Sequence, residues 1–312
     1  MSLEVALAEP VFFTEVGPRD GLQNLPEELS TEQKLELIKG VLDSGVDQVE
    51  ATSFVSPKWV PKLADAEVVL TELVEERGTE VLDRVRVLVP NRQGLERALK
   101  VGARRVLVNV GATDTFNRHN LNRSVRETVA EIAELAREAS AAGFRWDASL
   151  SVAFGCPYEG RVEPLVVVEL AQELVGMGAS EISVADTIGV ADPGQVAQLV
   201  ALLAERVPYP QIGLHLHDTR GMGLANAVFG YQAGVRRFEG SVAGIGGCPF
   251  APRSTGNVCS EDLLYLLQRL GACLTVDVER LCAVAQRLGK ALGRELPGRL
   301  HRAGIWEPAA PV

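Results

Sequence analysis

The sequence has fewer basic than acidic residues. Its 31 lysines and arginines stand against 41 aspartates and glutamates, which gives a net charge of −10. Such an acidic balance argues against a surface for nucleic acid or for an anionic membrane. No apolar run reaches the ~20 residues needed to span a bilayer, and the segment from Met1 to Val5 lacks the basic-then-apolar pattern of a signal peptide. We therefore expect no nucleic-acid partner, no membrane segment and no export.

Cysteine is also scarce, and its spacing does not indicate a structural zinc site. The chain has five cysteines, and an odd number without zinc-type spacing fits reduced thiols in a cytoplasm. We expect Cys156 to be structural. Cys259, Cys273 and Cys282 fall near or within helical patterns and are expected to be buried small hydrophobes. Cys248 differs from these four because it lies in a glycine-rich loop.

The sequence does have a regular alternation of short β-branched runs and longer amphipathic segments. Eight strand-then-helix units in about 270 residues are typical of a (β/α)₈ TIM barrel. A doubly wound sheet is the alternative, but no G-x-G-x-x-G pattern follows the first strand. Capping signals at Ser30 and Ser124, and Pro193 at a first-turn position, indicate helix starts. The predicted strands cover residues 11–16, 48–52, 85–89, 105–110, 145–153, 181–186, 211–217 and 237–242.

We expect one TIM-barrel domain over residues 1–312, with the barrel at about 11–270. An extra C-terminal helix is predicted from Asp277 to Leu292, within a C-terminal extension of about 275–312. The tail from Pro297 to Val312 contains Pro308 and Pro311 and is expected to be loose.

Two of the four histidines, His215 and His217, lie at the end of the seventh predicted strand. Side chains two residues apart in a strand point to the same face, so the two imidazoles should converge. Two interpretations fit the histidines alone. They are ligands of a metal ion, or they are packed histidines satisfied by neighbouring carboxylates.

Other unusual polar residues also follow predicted strands, which is where TIM barrels place their active residues. Asp20 follows strand one and Asn257 lies in the loop after strand eight, so one carboxylate, two imidazoles and an amide oxygen could meet at this end of the barrel. Mixed oxygen and nitrogen ligands suit Mg²⁺ or Mn²⁺ better than structural zinc. Further polar residues at predicted strand ends are Arg19, Glu50 and Asp186.

The loop from Val242 to Asn257 is rich in glycine and contains Cys248. Glycine permits unusual backbone conformations, and such a loop can close over a site as a lid. Cys248 over a cationic site could donate or accept a proton, or it could be a packed cysteine in a tight turn.

Several motifs resemble the 3-hydroxy-3-methylglutaryl-CoA lyase family, and they occur in family order from about residue 11 to 270. The R-D-G-x-Q and H-x-H-D motifs are shared with a wider superfamily of metal-dependent lyases and Claisen-condensing enzymes, whereas the Cys248 loop is more specific to the lyase branch. The matching stretches are Gly17–Asn24, Ser53–Pro61, Gly155–Gly160, Asp186–Val190, His215–Thr219 and the Cys248 loop Val242–Asn257.

The resemblance implies divalent-metal-dependent cleavage of 3-hydroxy-3-methylglutaryl-CoA to acetyl-CoA and acetoacetate. By residue-to-residue match, Asp20, His215, His217 and Asn257 would be the metal ligands. The resemblance further implies that Arg19 stabilises the enolate of acetyl-CoA, Glu50 is a catalytic carboxylate, Asp186 supports proton transfer and Cys248 is the acid. It also implies a homodimer, for which the extra C-terminal helix offers a contact surface. It leaves leucine breakdown, ketone-body formation or another acyl-CoA pathway open.

Two positions depart from the family pattern. Asp147 and Ser149 stand where the family has Arg and Tyr near the substrate. A reversed charge and a lost phenol are therefore expected at the pocket wall, which would suit a different acyl group. Arg253 in the loop adds a cation that could contact an acid group. Two other functions remain open: a synthase that condenses acetyl-CoA with a 2-oxo acid, and a non-catalytic metal-dependent scaffold.

Overall fold

Eight parallel strands close into a barrel in the computed structural model, which describes residues 10–247 and 256–306. The barrel strands are β1 Phe12–Glu15, β2 Gln48–Ser53, β3 Val85–Leu88, β4 Arg105–Gly111, β5 Arg145–Ser151, β8 Ile182–Asp186, β9 Ile212–Leu216 and β10 Arg237–Gly240. A separate two-stranded hairpin is formed by β6 Gly155–Cys156 and β7 Gly160–Arg161. Around the barrel the strands neighbour one another in the order β1-β10-β9-β8-β5-β4-β3-β2, so the TIM-barrel prediction is confirmed.

Helices follow the strands and begin where the capping signals predict. Ser30, Ser124 and Asp192 each accept a backbone N–H from the residue three positions on, and that residue's side chain accepts the capping residue's own N–H. The helices are α1 Thr31–Asp43, α2 Ala66–Arg77, α3 Arg92–Lys100, α4 Asp114–Leu121, α5 Val125–Ala141, α6 Pro164–Gly176, α7 Pro193–Ala204, α8 Gly223–Gln232, α9 Ser260–Arg269, α10 Val278–Leu292 and α11 Leu300–Ala303.

Four local features differ from the sequence-based predictions. The short π-helical turn at Gly17–Gly21, the helix α4 and the β6–β7 hairpin had no predicted counterpart. Cys273 is exposed rather than buried, because it lies in the connection after α9, where its carbonyl accepts the N–H of Val11. Within the described part of the chain, no helix is long and apolar enough to cross a membrane.

The C-terminal region contains more structure than the sequence indicates. Helix α10 is confirmed, and its apolar face packs against α1 and α9 with Leu281 and Ala285 fully buried. The expectation of a loose tail is wrong for residues 297–303. Backbone N–H groups of Arg299 and Leu300 donate to the Asp262 carboxylate, which anchors the short helix α11 on the first turn of α9.

Candidate metal centre and active site

Three of the four predicted metal ligands meet at the carboxyl end of the barrel strands. Asp20 lies in the turn after β1, His215 is in β9 and His217 follows it. Their ligand atoms lie within 4.8 Å of one another. The Nε2 atoms of His215 and His217 are 3.2 Å apart, and Asp20 Oδ2 is 3.9 Å from His215 Nε2. The convergence expected from the i, i+2 spacing is therefore present.

Asn257 joins this group through its backbone and its side chain. It forms a β-bridge with His217, and its Nδ2 donates to Asp20 Oδ2 at 2.9 Å. Its buried Oδ1 has no hydrogen-bond partner among the described residues. A buried carbonyl oxygen without a donor is costly unless a water or cation satisfies it. The residues present therefore fit a divalent ion with mixed oxygen and nitrogen ligands.

The surroundings of the two histidines shift their pKa values in opposite directions. Burial lowers the pKa of His217 to about 3, which keeps its imidazole neutral, as a ligand must be. Burial also acts to lower the pKa of His215, but the hydrogen bond and charge of Glu239 outweigh it and raise the pKa. Glu239 lies 2.8 Å from His215 Nδ1 and so directs Nε2 toward the Asp20 side.

Asp20 is ionised in this setting. Burial alone would raise its pKa, but the positive charge of Arg19, followed by the two imidazoles, lowers it. Arg19 donates through Nη1 to Asp20 and through Nε to Glu50. The cation expected to stabilise negative charge is thus held beside the metal ligands by two carboxylates.

Glu50 lies within β2 rather than at its end, and it is fully buried. Its second oxygen accepts from Arg86 Nε at 3.1 Å, and Arg86 Nη2 also donates to Glu239 at 2.7 Å. A continuous chain of ion pairs therefore links Arg19, Glu50, Arg86, Glu239 and His215.

Arg86 and Glu239 were missed by the sequence reasoning, although each leaves a signal. Arg86 interrupts the apolar run Val85–Val89, and Glu239 follows Phe238 in the middle of a short strand. A charged residue inside a barrel strand must find a partner within the barrel, because an isolated buried charge is very costly. A lone charge within an apolar strand run is therefore a usable sequence signal for an interior ion pair.

Asp186 is the last residue of β8, as predicted, and is buried. Its two carboxylate oxygens accept the backbone N–H groups of Val190 and Ala191 at 2.8 and 3.0 Å. Burial raises its pKa despite these bonds. The carboxylate thus holds the loop that follows β8.

Cys248 and Arg253 lie outside the described residues.

Asp147 does not line an open pocket wall, so that expectation is corrected. It is fully buried, and both of its carboxylate oxygens accept from Arg105, at 2.6 and 2.8 Å. Its strand neighbour in β4 is Leu107, four residues before Gly111 at the end of that strand, which places it toward the amino-terminal end of the barrel. The negative charge is neutralised locally by Arg105. Ser149 is partly exposed and lies on the same face of β5 as Asp147, nearer the carboxyl end.

Comparisons with known proteins identify the family of this chain. The HMGL-like family model matches residues 10–288, and the chain belongs to that family of TIM-barrel proteins. Over 289 residues it is 42% identical to hydroxymethylglutaryl-CoA lyase YngG of Bacillus subtilis, covering 93% of this chain and 95% of the relative. Over 302 residues it is 41% identical to (R)-citramalyl-CoA lyase of Chloroflexus aurantiacus, covering 95% of each.

A solved relative has the same architecture. The structure of an HMG-CoA lyase from Acinetobacter baumannii in complex with coenzyme A and 3-methylmalate has a TM-score of 0.90 at 34% identity, covering 97% of this chain and 98% of that chain. The sequence match and the structural match therefore both support a TIM-barrel protein of the HMGL-like family.

Proposed function

We propose that this protein is a divalent-metal-dependent carbon–carbon lyase that cleaves 3-hydroxy-3-methylglutaryl-CoA, or a close 3-alkyl analogue, to acetyl-CoA and a 3-oxo acid. One observation carries the proposal. The ligand atoms of Asp20, His215 and His217 converge beside the Arg19–Glu50 pair, in a chain that matches the HMGL-like family over residues 10–288. A retro-aldol step needs a base for the tertiary hydroxyl and a cation for the enolate, and this site contains both kinds of group.

Asp20, His215, His217 and Asn257 would hold Mg²⁺ or Mn²⁺. When bound, such an ion lowers the pKa of the substrate hydroxyl and orients the substrate oxygens. Arg19 keeps its charge at every working pH and would stabilise the negative charge of the thioester enolate. Glu50 fixes the guanidinium of Arg19, and its carboxylate matches a catalytic carboxylate of the family.

Asp186 and Cys248 complete the proposed set. Burial raises the pKa of Asp186, which supports a role in proton transfer close to the metal ligands. Cys248 is proposed as the acid that protonates the acetyl-CoA enolate, on the strength of its loop motif.

Changing Cys248 to alanine is expected to lower kcat by about 10² to 10⁴-fold, the usual contribution of a general acid. The KM should change little, because substrate binding does not need the thiol. Steady-state kinetics of pure protein with Mn²⁺ measure both quantities. Cys273→Ala is the matched control, since Cys273 is an exposed thiol in the connection after α9, beside the amino-terminal start of β1. An unchanged kcat in Cys248→Ala would remove the acid assignment.

The deciding experiment for the function is a panel of thioesters with Mg²⁺ or Mn²⁺ and product analysis by mass spectrometry. The panel contains 3-hydroxy-3-methylglutaryl-CoA, longer 3-alkyl analogues and citramalyl-CoA, which the Chloroflexus relative makes a necessary comparison. Ser149 on the interior face of β5 is the residue we expect to influence the acyl preference. Acetyl-CoA and a 3-oxo acid are the expected products from the first substrates. Release of CoA that requires both acetyl-CoA and a 2-oxo acid would instead indicate the condensing synthase.

We further propose that the protein is a cytoplasmic homodimer. Each chain would form a single domain over residues 1–312. The described cysteines are all free thiols, which supports a reducing compartment. The proposed role of α10 as a dimer contact loses support, because its apolar face is covered by α1 and α9 of the same chain. Sedimentation equilibrium measures the oligomeric state directly.

A further inference from the structure

Ala243 has a backbone conformation that an alanine rarely adopts. Its φ is 59° and its ψ is 9°, which is the left-handed region. It lies three residues after β10, at the start of the segment that leads to Cys248 and Asn257. A non-glycine residue remains in this region only where its surroundings hold it there, and such positions concentrate near functional sites.

Both backbone polar groups of Ala243 are held by residues from the C-terminal part of the chain. Its N–H donates to Glu261 Oε2 at 3.0 Å, and its carbonyl accepts the N–H of Gly298 at 2.9 Å. The other oxygen of Glu261 is 2.8 Å from His301 Nδ1. Glu261 is fully buried and His301 nearly so. The sequence alone does not single out His301, because it lies in the tail that the sequence predicts to be loose.

The packing around this pair leaves no room for another atom. A Cβ placed on Gly298 would lie 2.8 Å from Glu261 Oε1 and from His301 Nδ1, and 2.7 Å from Cys259 Sγ. Contacts this short require a neighbour to move. The C-terminal segment therefore docks in one defined position, with α11 anchored by Asp262.

A short path connects Ala243 to the candidate metal centre. The carbonyl of Ile245, two residues further on, accepts from Asn257 Nδ2 at 3.3 Å. The same Nδ2 donates to Asp20, so the direction of the Ile245 carbonyl affects the orientation of the Asn257 amide. A change of backbone conformation at Ala243 would redirect the chain just before Ile245.

We propose that Glu261 and His301 are positioning residues. They hold the strained backbone at Ala243, and the Ile245 carbonyl that follows it in turn fixes the Asn257 side chain at the metal centre. The catalytic consequence rests on the proposed lyase function, whereas the effects on backbone and metal affinity do not. His301 keeps the Glu261 carboxylate directed at Ala243, since a charge-assisted hydrogen bond restricts where the carboxylate can turn.

The test uses the full-length chain with His301→Ala, and His301→Asn as the conservative variant, because the Asn amide N–H₂ can donate to Glu261 from a position near that of Nδ1. Glu295→Ala is the control, since Glu295 lies in the same segment with an exposed side chain. Hydrogen exchange of the peptide covering 240–247, Mn²⁺ affinity by calorimetry, and kcat and KM are measured for each protein.

In His301→Ala we expect faster exchange at Ala243, a Kd for Mn²⁺ raised by about 10-fold and a kcat lowered by a similar factor with little change in KM. His301→Asn should restore most of the slow exchange, the Mn²⁺ affinity and the kcat. Glu295→Ala should match the wild type in all three. If His301→Ala does not fold, Gly298→Ala provides the same test, because its methyl group would separate Glu261 from His301.

Wild-type exchange at Ala243 together with wild-type Mn²⁺ affinity in His301→Ala would overturn the proposal. So would a loss of turnover without any change in those two quantities. If the wild-type chain itself has no lyase activity, the proposed function fails, but exchange and metal affinity still decide this inference.

Discussion

Replacing His215 or Asp20 with alanine is expected to raise the Kd for Mn²⁺ by about 100-fold or more and to lower kcat by about 10³-fold. Each variant removes one of the three groups whose ligand atoms lie within 4.8 Å. His215→Ala also leaves Glu239 without its imidazole partner, so its effect should exceed that of losing one ligand atom. Calorimetric titration with Mn²⁺ measures the affinity, and turnover of the thioester measures kcat.

His119→Ala is the matched control for these variants, because it removes an exposed imidazole that stacks on Tyr158 and is not one of the three clustered ligands. It should bind Mn²⁺ as the wild type does. Full activity of the wild-type protein after removal of metal by a chelator would refute the metal centre. Metal affinity that is lost in His119→Ala as strongly as in His215→Ala would show a general effect of folding instead.

The sequence was sufficient to predict the barrel because its local signals agree with the overall fold. The capping boxes at Ser30 and Ser124 and the β-branched strands mark the same alternation that the closed sheet displays. The helix α4 and the tail helix α11 were not predicted. Helix α11 depends on a distant carboxylate, Asp262, and no periodicity within four residues can reveal such a contact.

In the candidate site, the ligand positions could be predicted from the sequence, whereas their interior partners could not. The positions of Asp20, His215, His217 and Asn257 could be predicted because strand ends of a barrel meet at one face. The interior partners could not be assigned, since pairing between Glu50 on β2, Arg86 on β3 and Glu239 on β10 depends on the stagger of strands around the barrel. For the same reason the prediction for Asp147 at the pocket wall was wrong, because the strand register puts it beside Arg105.

Arg86 is the position where we expect the largest loss of stability. Its guanidinium is fully buried and is shared by Glu50 and Glu239, with Asp147 3.7 Å from Nη1. Changing Arg86 to methionine keeps most of the volume but leaves these carboxylates without their common cation. Breaking a buried ion pair in this way typically costs about 3–5 kcal/mol of unfolding free energy. Urea denaturation with far-UV circular dichroism measures the loss.

Arg105→Met separates stability from function. Arg105 also binds two buried acids, Asp147 and Glu181, but toward the amino-terminal end of the barrel and away from the metal ligands. Both variants should therefore be destabilised, while only Arg86→Met should also weaken Mn²⁺ binding and lower kcat. This follows because Arg86 is linked through Glu239 to His215 and through Glu50 to Arg19. Equal metal affinity in the two variants would mean that the interior chain of ion pairs supports the barrel without positioning the site.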